Sequence, residues 1–157
     1  MNPTDIALVQ TSFRRMVPIA DKAAALFYAR LFELDPAIRV LFRGDMQEQG
    51  RRLVGMLATA VRSLEHLEIL IPATRALGAR HSGYGAIEEH YASVGAALIW
   101  TLEKGLGREF TPAVENAWTT TYSFLAQIMI DAQRTARAAA YPLHEDAAPP
   151  PRSLVSC

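Results

Sequence analysis

From Thr4 to about Ala139 the apolar residues recur at helical spacing and never alternate for long, while prolines and glycines fall between the periodic runs. A chain written this way can bury its apolar surface only by packing helix on helix, so the expected fold class is all-α. The first helix is expected from about Thr4 to Met16. Pro18 then opens a second, carrying Leu26, Phe27, Tyr28 and Leu31. Asp35 reads as an N-cap with Pro36 at the first helical position, starting a short element that ends near Leu41 and Phe42 and is broken by Arg43-Gly44-Asp45.

A third long run, Gln47 to Leu64, places Gln49, Leu53, Met56, Ala60 and Leu64 on one face, with Gln49 as the polar exception. Beyond the polar corner at Glu65 and His66, the residues Leu70, Thr74, Leu77 and His81 share a face, and Ser82-Gly83-Tyr84-Gly85 ends that helix. Ile87 to Lys104 aligns Tyr91, Val94, Leu98 and Leu102, with Gly105 and Gly107 closing it. Thr111 and Pro112 cap the last helix, which turns Val114, Trp118, Tyr122, Leu125 and Met129 inward. Residues 141–157, with three successive prolines from Pro149, lack apolar periodicity and read as a disordered tail, so the folded domain is expected to span 1–140.

With 157 residues, half of them hydrophobic, one domain can bury a full core without metal or disulfide support. Sixteen basic residues balance sixteen acidic ones with the signs interspersed, which leaves no basic face for a phosphate backbone and argues against a nucleic-acid partner. The single cysteine, Cys157, can form neither an internal disulfide nor a zinc cluster and suits a reducing compartment. Met1 to Arg15 does not read as a secretory signal, and no apolar run is long enough for a bilayer. A cytoplasmic protein with no membrane partner is expected.

Four histidines are present. His66 lies in a polar corner, His144 in the tail, and His90 follows two glutamates, so solvent exposure accounts for each. His81, on an apolar face where a helix stops, is a metal-ligand candidate by elimination, and its position equally suits a satisfied core histidine. Tyr28 reads either as a core aromatic or as a directed hydroxyl, and Gln49 as a helix edge or an inward amide.

Several stretches, taken in order, carry a resemblance: Leu26-Phe27-Tyr28-Ala29-Arg30-Leu31-Phe32, Asp35-Pro36 through Leu41-Phe42, and Leu77-Gly78-Ala79-Arg80-His81. They continue with His90-Tyr91-Ala92-Ser93-Val94-Gly95, Leu102-Glu103-Lys104-Gly105-Leu106-Gly107, and Ala117-Trp118 with Tyr122. Over about Thr4 to Ala136 the chain resembles bacterial single-domain haem globins, close to flavohaemoglobin haem domains, neuroglobins and thermophile-type bacterial globins. The resemblance implies a three-over-three helical sandwich binding haem b, iron protoporphyrin IX, with His81 as the proximal iron ligand. It puts Phe42 against the porphyrin and Tyr28 and Gln49 over the distal face, with Leu53 one turn beyond. It also brings Tyr91, Val94 and Tyr122 near the haem and offers Arg52 and Arg80 as partners for its propionates, while Leu98, with Phe42, Leu53 and Val94, can supply the apolar walls such a group needs.

The ligands implied are diatomic gases, namely oxygen, nitric oxide and carbon monoxide. Relatives often buttress the proximal histidine through a tyrosine and a glutamate. Tyr91 matches the first, but Gln133 stands at the second position, with Asp131 nearby, and a neutral amide cannot raise imidazole basicity as a carboxylate does. The length leaves no room for flavin and nicotinamide domains, so any turnover is expected to need an external reductase. Oxygen binding, storage or delivery by a monomer or homodimer is the leading expectation. Nitric oxide dioxygenation with a separate reductase, and a globin-like sensory module, are the alternatives.

Overall fold

A computed structural model describes residues 1–83 and 85–140. The expected tail, 141–157, and with it His144 and Cys157, lies outside the described residues. Among the described residues six α-helices form: α1 (Pro3–Met16), α2 (Ala20–Leu34), α3 (Met46–Arg62), α4 (Leu67–Gly83), α5 (Glu88–Leu106) and α6 (Pro112–Ala140). Short 3₁₀ segments lie at Val17–Ile19, Pro36–Leu41 and Gly107–Glu109. There is no strand among the described residues, and the arrangement is the three-over-three helical sandwich of the globin fold.

Local chemistry sets most helix ends. Asn2 accepts from the Asp5 amide at 2.8 Å while the Asp5 carboxylate reaches back to the Asn2 amide, a reciprocal cap for α1. Gly44, at φ 101°, makes the turn that lets Asp45 cap α3 through the Gln47 amide at 2.8 Å. Thr111 accepts from the Val114 amide at 3.2 Å and starts α6 next to Pro112.

Some expectations are corrected. Pro18 sits inside the 3₁₀ turn, so α2 begins at Ala20. Asp35 does not cap with its side chain. Its carboxylate instead accepts from Ser93 on α5 at 3.4 Å, and the Pro36–Leu41 segment winds as a 3₁₀ helix. Met56 is 38% exposed, whereas Gly50 and Val61 are buried on α3 and Leu64 is buried just past its end. Gly105 does not close α5, because α5 continues to Leu106 and the positive φ falls at Gly107.

The buried core runs through Val9, Phe27, Leu31, Leu64, Leu98, Leu102, Ala117 and Trp118. Trp118 satisfies its indole N–H on Ser12 at 2.8 Å, so α1 and α6 are joined by a buried hydrogen bond as well as by apolar packing. The helices that matter for function sit on different supports: α3 docks on α2, and α4 docks on α6. Glycines allow two of these close approaches. A Cβ on Gly50 would lie 2.9 Å from that of Ala24, and one on Gly78 would lie 2.6 Å from the Met129 carbonyl oxygen.

Candidate functional site

His81 lies in the last turns of α4 and is half-buried. Its Nδ1 is 2.8 Å from the carbonyl oxygen of Leu77 one turn back. A carbonyl can only accept, so this contact selects the tautomer protonated at Nδ1, and the imidazole lone pair belongs to Nε2. Burial pushes the His81 pKa below its ordinary value, opposed by the Leu77 hydrogen bond and reinforced by the neighbouring Arg80. The side chain is therefore held as a neutral, oriented imidazole, the form that ligates iron.

Tyr28 and Gln49 come from α2 and α3, 21 positions apart, and the structure brings them together. The Gln49 amide nitrogen donates to the Tyr28 hydroxyl at 3.3 Å. Their helices meet closely because Gly50, next to Gln49, rests on Ala24, one turn before Tyr28. Tyr28 is 6% exposed and set among rings: Phe27 and Phe42 meet it edge-on with centroids 5.0 and 5.3 Å away, and Phe32 lies at 6.0 Å. Such packing fixes the phenol and leaves few directions for its hydroxyl.

A second polar group gathers where α5 meets α6. The Tyr91 hydroxyl donates to Oε1 of Gln133 at 3.1 Å, and the Tyr122 hydroxyl donates to the Tyr91 carbonyl. Burial raises the Tyr91 pKa to about 12 and pushes that of Tyr122 higher still, so both stay protonated donors. Asp131 takes no part, since it is exposed and accepts from Gln127 at 2.9 Å. The residue against Tyr91 is thus the amide, Gln133.

Phe42, Leu53, Val94 and Tyr122 are partly buried against the core, and Leu98 is buried within it. Arg80 is exposed, and Arg52 is exposed and paired with Glu48 at 2.8 Å. An apolar cavity of about 50 Å³ lies behind Leu53, between Phe27, Leu57, Leu98 and Trp118, and another of about 30 Å³ shares the last three of these residues. None of Tyr28, Gln49 and His81 lines either cavity, so these voids are not where the polar groups of the site converge.

Phe32 belongs to the same ring cluster one turn after Tyr28, a spacing the sequence shows although the resemblance gives it no role at the site. His90 is more than solvated. That side chain accepts from the Ile87 amide at 3.2 Å and caps α5, while His66 is 60% exposed and lies 3.4 Å from Glu68.

An all-helical sandwich with one oriented, half-buried imidazole, a buried phenol–amide pair and mostly apolar walls has the donor set and polarity that suit an iron porphyrin. The chain belongs to the globin family, whose model, Globin, matches residues 25–129. It is 34% identical over 108 residues to a flavohemoprotein of Vibrio cholerae, an alignment covering 67% of this chain and 27% of that protein. It is 28% identical over 143 residues to a flavohemoprotein of Bordetella parapertussis, covering 89% and 36%. The chain thus spans between about a quarter and about a third of the curated relatives it matches.

Among solved structures, an engineered carbene transferase built on a nitric oxide dioxygenase candidate of Rhodothermus marinus superposes with TM-score 0.80 at 25% identity, covering 89% of this chain and 98% of that one. A bacterial globin from Campylobacter jejuni shares the fold at TM-score 0.74 and 22% identity, covering 87% and 99%. The protein is a haem-binding globin, and haem b is the form usual for the family.

Proposed function

We propose that this globin ligates haem iron through His81 and binds oxygen reversibly beside Tyr28 and Gln49, for oxygen storage or delivery in the cytoplasm. The observation that carries the reading is the hydrogen-bonded Tyr28–Gln49 pair, joined across two helices inside an aromatic cluster. Haem iron, when bound, supplies reversible attachment of a diatomic gas. Tyr28 and Gln49 contribute donors for a polarised ligand, Phe42 and Leu53 contribute apolar wall, and His81 presents its Nε2 lone pair. Arg52 and Arg80 remain proposed partners for the haem propionates.

The ferrous, ligand-free protein is expected to be five-coordinate and high-spin, with His81 its sole protein ligand. Gln49 is a poor iron ligand, His90 is committed to the start of α5, and His66 faces solvent. An absorbance spectrum of the reduced protein checks this. A low-spin ferrous spectrum that disappears on changing His66 or His90 would overturn the assignment.

Similarity to flavohemoproteins and to the Rhodothermus structure favours a second reading, oxidation of nitric oxide to nitrate with electrons from a separate reductase. Under it, the oxygenated chain mixed with nitric oxide yields one equivalent of nitrate and stops at the ferric state. NADH alone is expected not to sustain consumption of nitric oxide, whereas NADH with a competent reductase restores it. A nitric oxide electrode distinguishes the two, and steady consumption with NADH alone would contradict the need for a separate reductase.

A further inference from the structure

Three elements meet at one residue in the corner between α4 and α5. The Ala86 amide donates to the carbonyl of His81 at 3.3 Å, and the Ala86 carbonyl accepts from the Gln133 side-chain amide and from Arg137 at 2.9 Å. Gln133 is 1% exposed, and its other end accepts the Tyr91 hydroxyl. A buried amide on α6 is therefore connected, through a single residue, to the backbone of the turn that carries His81. Gly83 ends α4, and Gly85 takes φ 81°, a left-handed conformation that glycine adopts without strain.

We propose that Gln133 is a positioning residue for His81, fixing the last turn of α4 by pinning Ala86, and that the site is built for an amide and against a carboxylate. The inference rests on the reading of His81 as the haem ligand. The chemistry on its two sides differs. Tyr91 brings a donor and requires an acceptor, whereas the Ala86 carbonyl is an acceptor and requires a donor. A glutamine amide has one of each, fixed in a plane. A carboxylate would keep the tyrosine but turn a negative oxygen towards the carbonyl, and an alkyl side chain would leave the Tyr91 hydroxyl unpaired and the Ala86 carbonyl held by Arg137 alone. Arg137 is exposed, so it reinforces the same carbonyl from the solvent side while Gln133 holds it from within.

The test uses the full 157-residue chain, with and without haem, and compares Q133E, Arg137→Leu and Tyr91→Phe with the parent. Amide hydrogen exchange read by NMR at Ala86 is expected to quicken about tenfold or more in Q133E and less in Arg137→Leu, and to stay within about twofold in Tyr91→Phe, which keeps the arm that donates to Ala86. In the ferrous holoprotein the iron–histidine resonance Raman band is expected to shift or broaden in Q133E. Unchanged Ala86 exchange in both Q133E and Arg137→Leu would overturn the clamp, as would equal acceleration throughout α4 and α6. An unmoved Raman band with accelerated exchange would overturn the link to His81. Absence of an iron–histidine band in the parent would overturn the haem-ligand reading instead, with the exchange pattern still testing the clamp.

Discussion

Tyr28→Phe is expected to accelerate oxygen release about 10- to 100-fold, as read by stopped-flow replacement of oxygen with carbon monoxide. The substitution keeps the ring among Phe27, Phe32 and Phe42 and deletes only the hydroxyl, so the pocket retains its shape. A ligand polarised by ferrous haem carries negative charge on its outer atom, and a hydrogen bond to a charged partner contributes roughly 1.5–3 kcal/mol, which sets the size of the effect. Because the Tyr28 oxygen accepts from Gln49, the amide also orients the phenol. Gln49→Leu is therefore expected to speed release as well, through the loss of a donor and of that orientation. An unchanged rate in Tyr28→Phe alongside a fast Gln49→Leu would assign the stabilisation to the amide alone.

That pairing marks the boundary of what was legible in the sequence. Apolar period located the six α-helices of the described residues, because each buries one face and several ends carry a proline, glycine or capping residue with a local physical cause. Period could also isolate His81, since it continues the face of Leu70, Thr74 and Leu77 to a glycine-rich stop. It could not join Tyr28 to Gln49, which depends on how closely two helices cross, and that distance is set by Gly50 against Ala24.

Gly105 follows the same logic: the sequence suggests a helix end there, whereas it lies within α5, where a Cβ would fall 2.5 Å from the Met16 side chain. A sequence shows that a residue lacks a side chain, and only packing shows whether that serves a turn or a contact. Ala86 carried no signal at all, because its part in the corner is played by backbone groups that every residue possesses.

Gly78→Ala is expected to lower thermal stability by about 2–10 °C and to loosen the helix bearing His81, whereas Gly55→Ala on α3 is expected to raise it slightly. Both glycines are helical, so intrinsic propensity favours alanine at each by about 1 kcal/mol. What differs is the surrounding space. A Cβ at Gly55 meets nothing within 4 Å, and the propensity gain is retained. At Gly78 it would lie 2.6 Å from the Met129 carbonyl oxygen and 2.7 Å from the Met129 Cα, both backbone atoms of α6 that cannot rotate aside. Relief requires moving α4 off α6, and overpacking of this kind costs about 1–3 kcal/mol, more where backbone must shift. Because α4 rests on α6, the displacement reaches His81, three residues on, and weaker haem retention is expected together with the lower melting temperature. Differential scanning calorimetry and haem transfer to an apoglobin acceptor measure the two effects. A Gly78→Ala protein as stable and as haem-retentive as the parent would show that the α4–α6 contact is not what holds His81 in place.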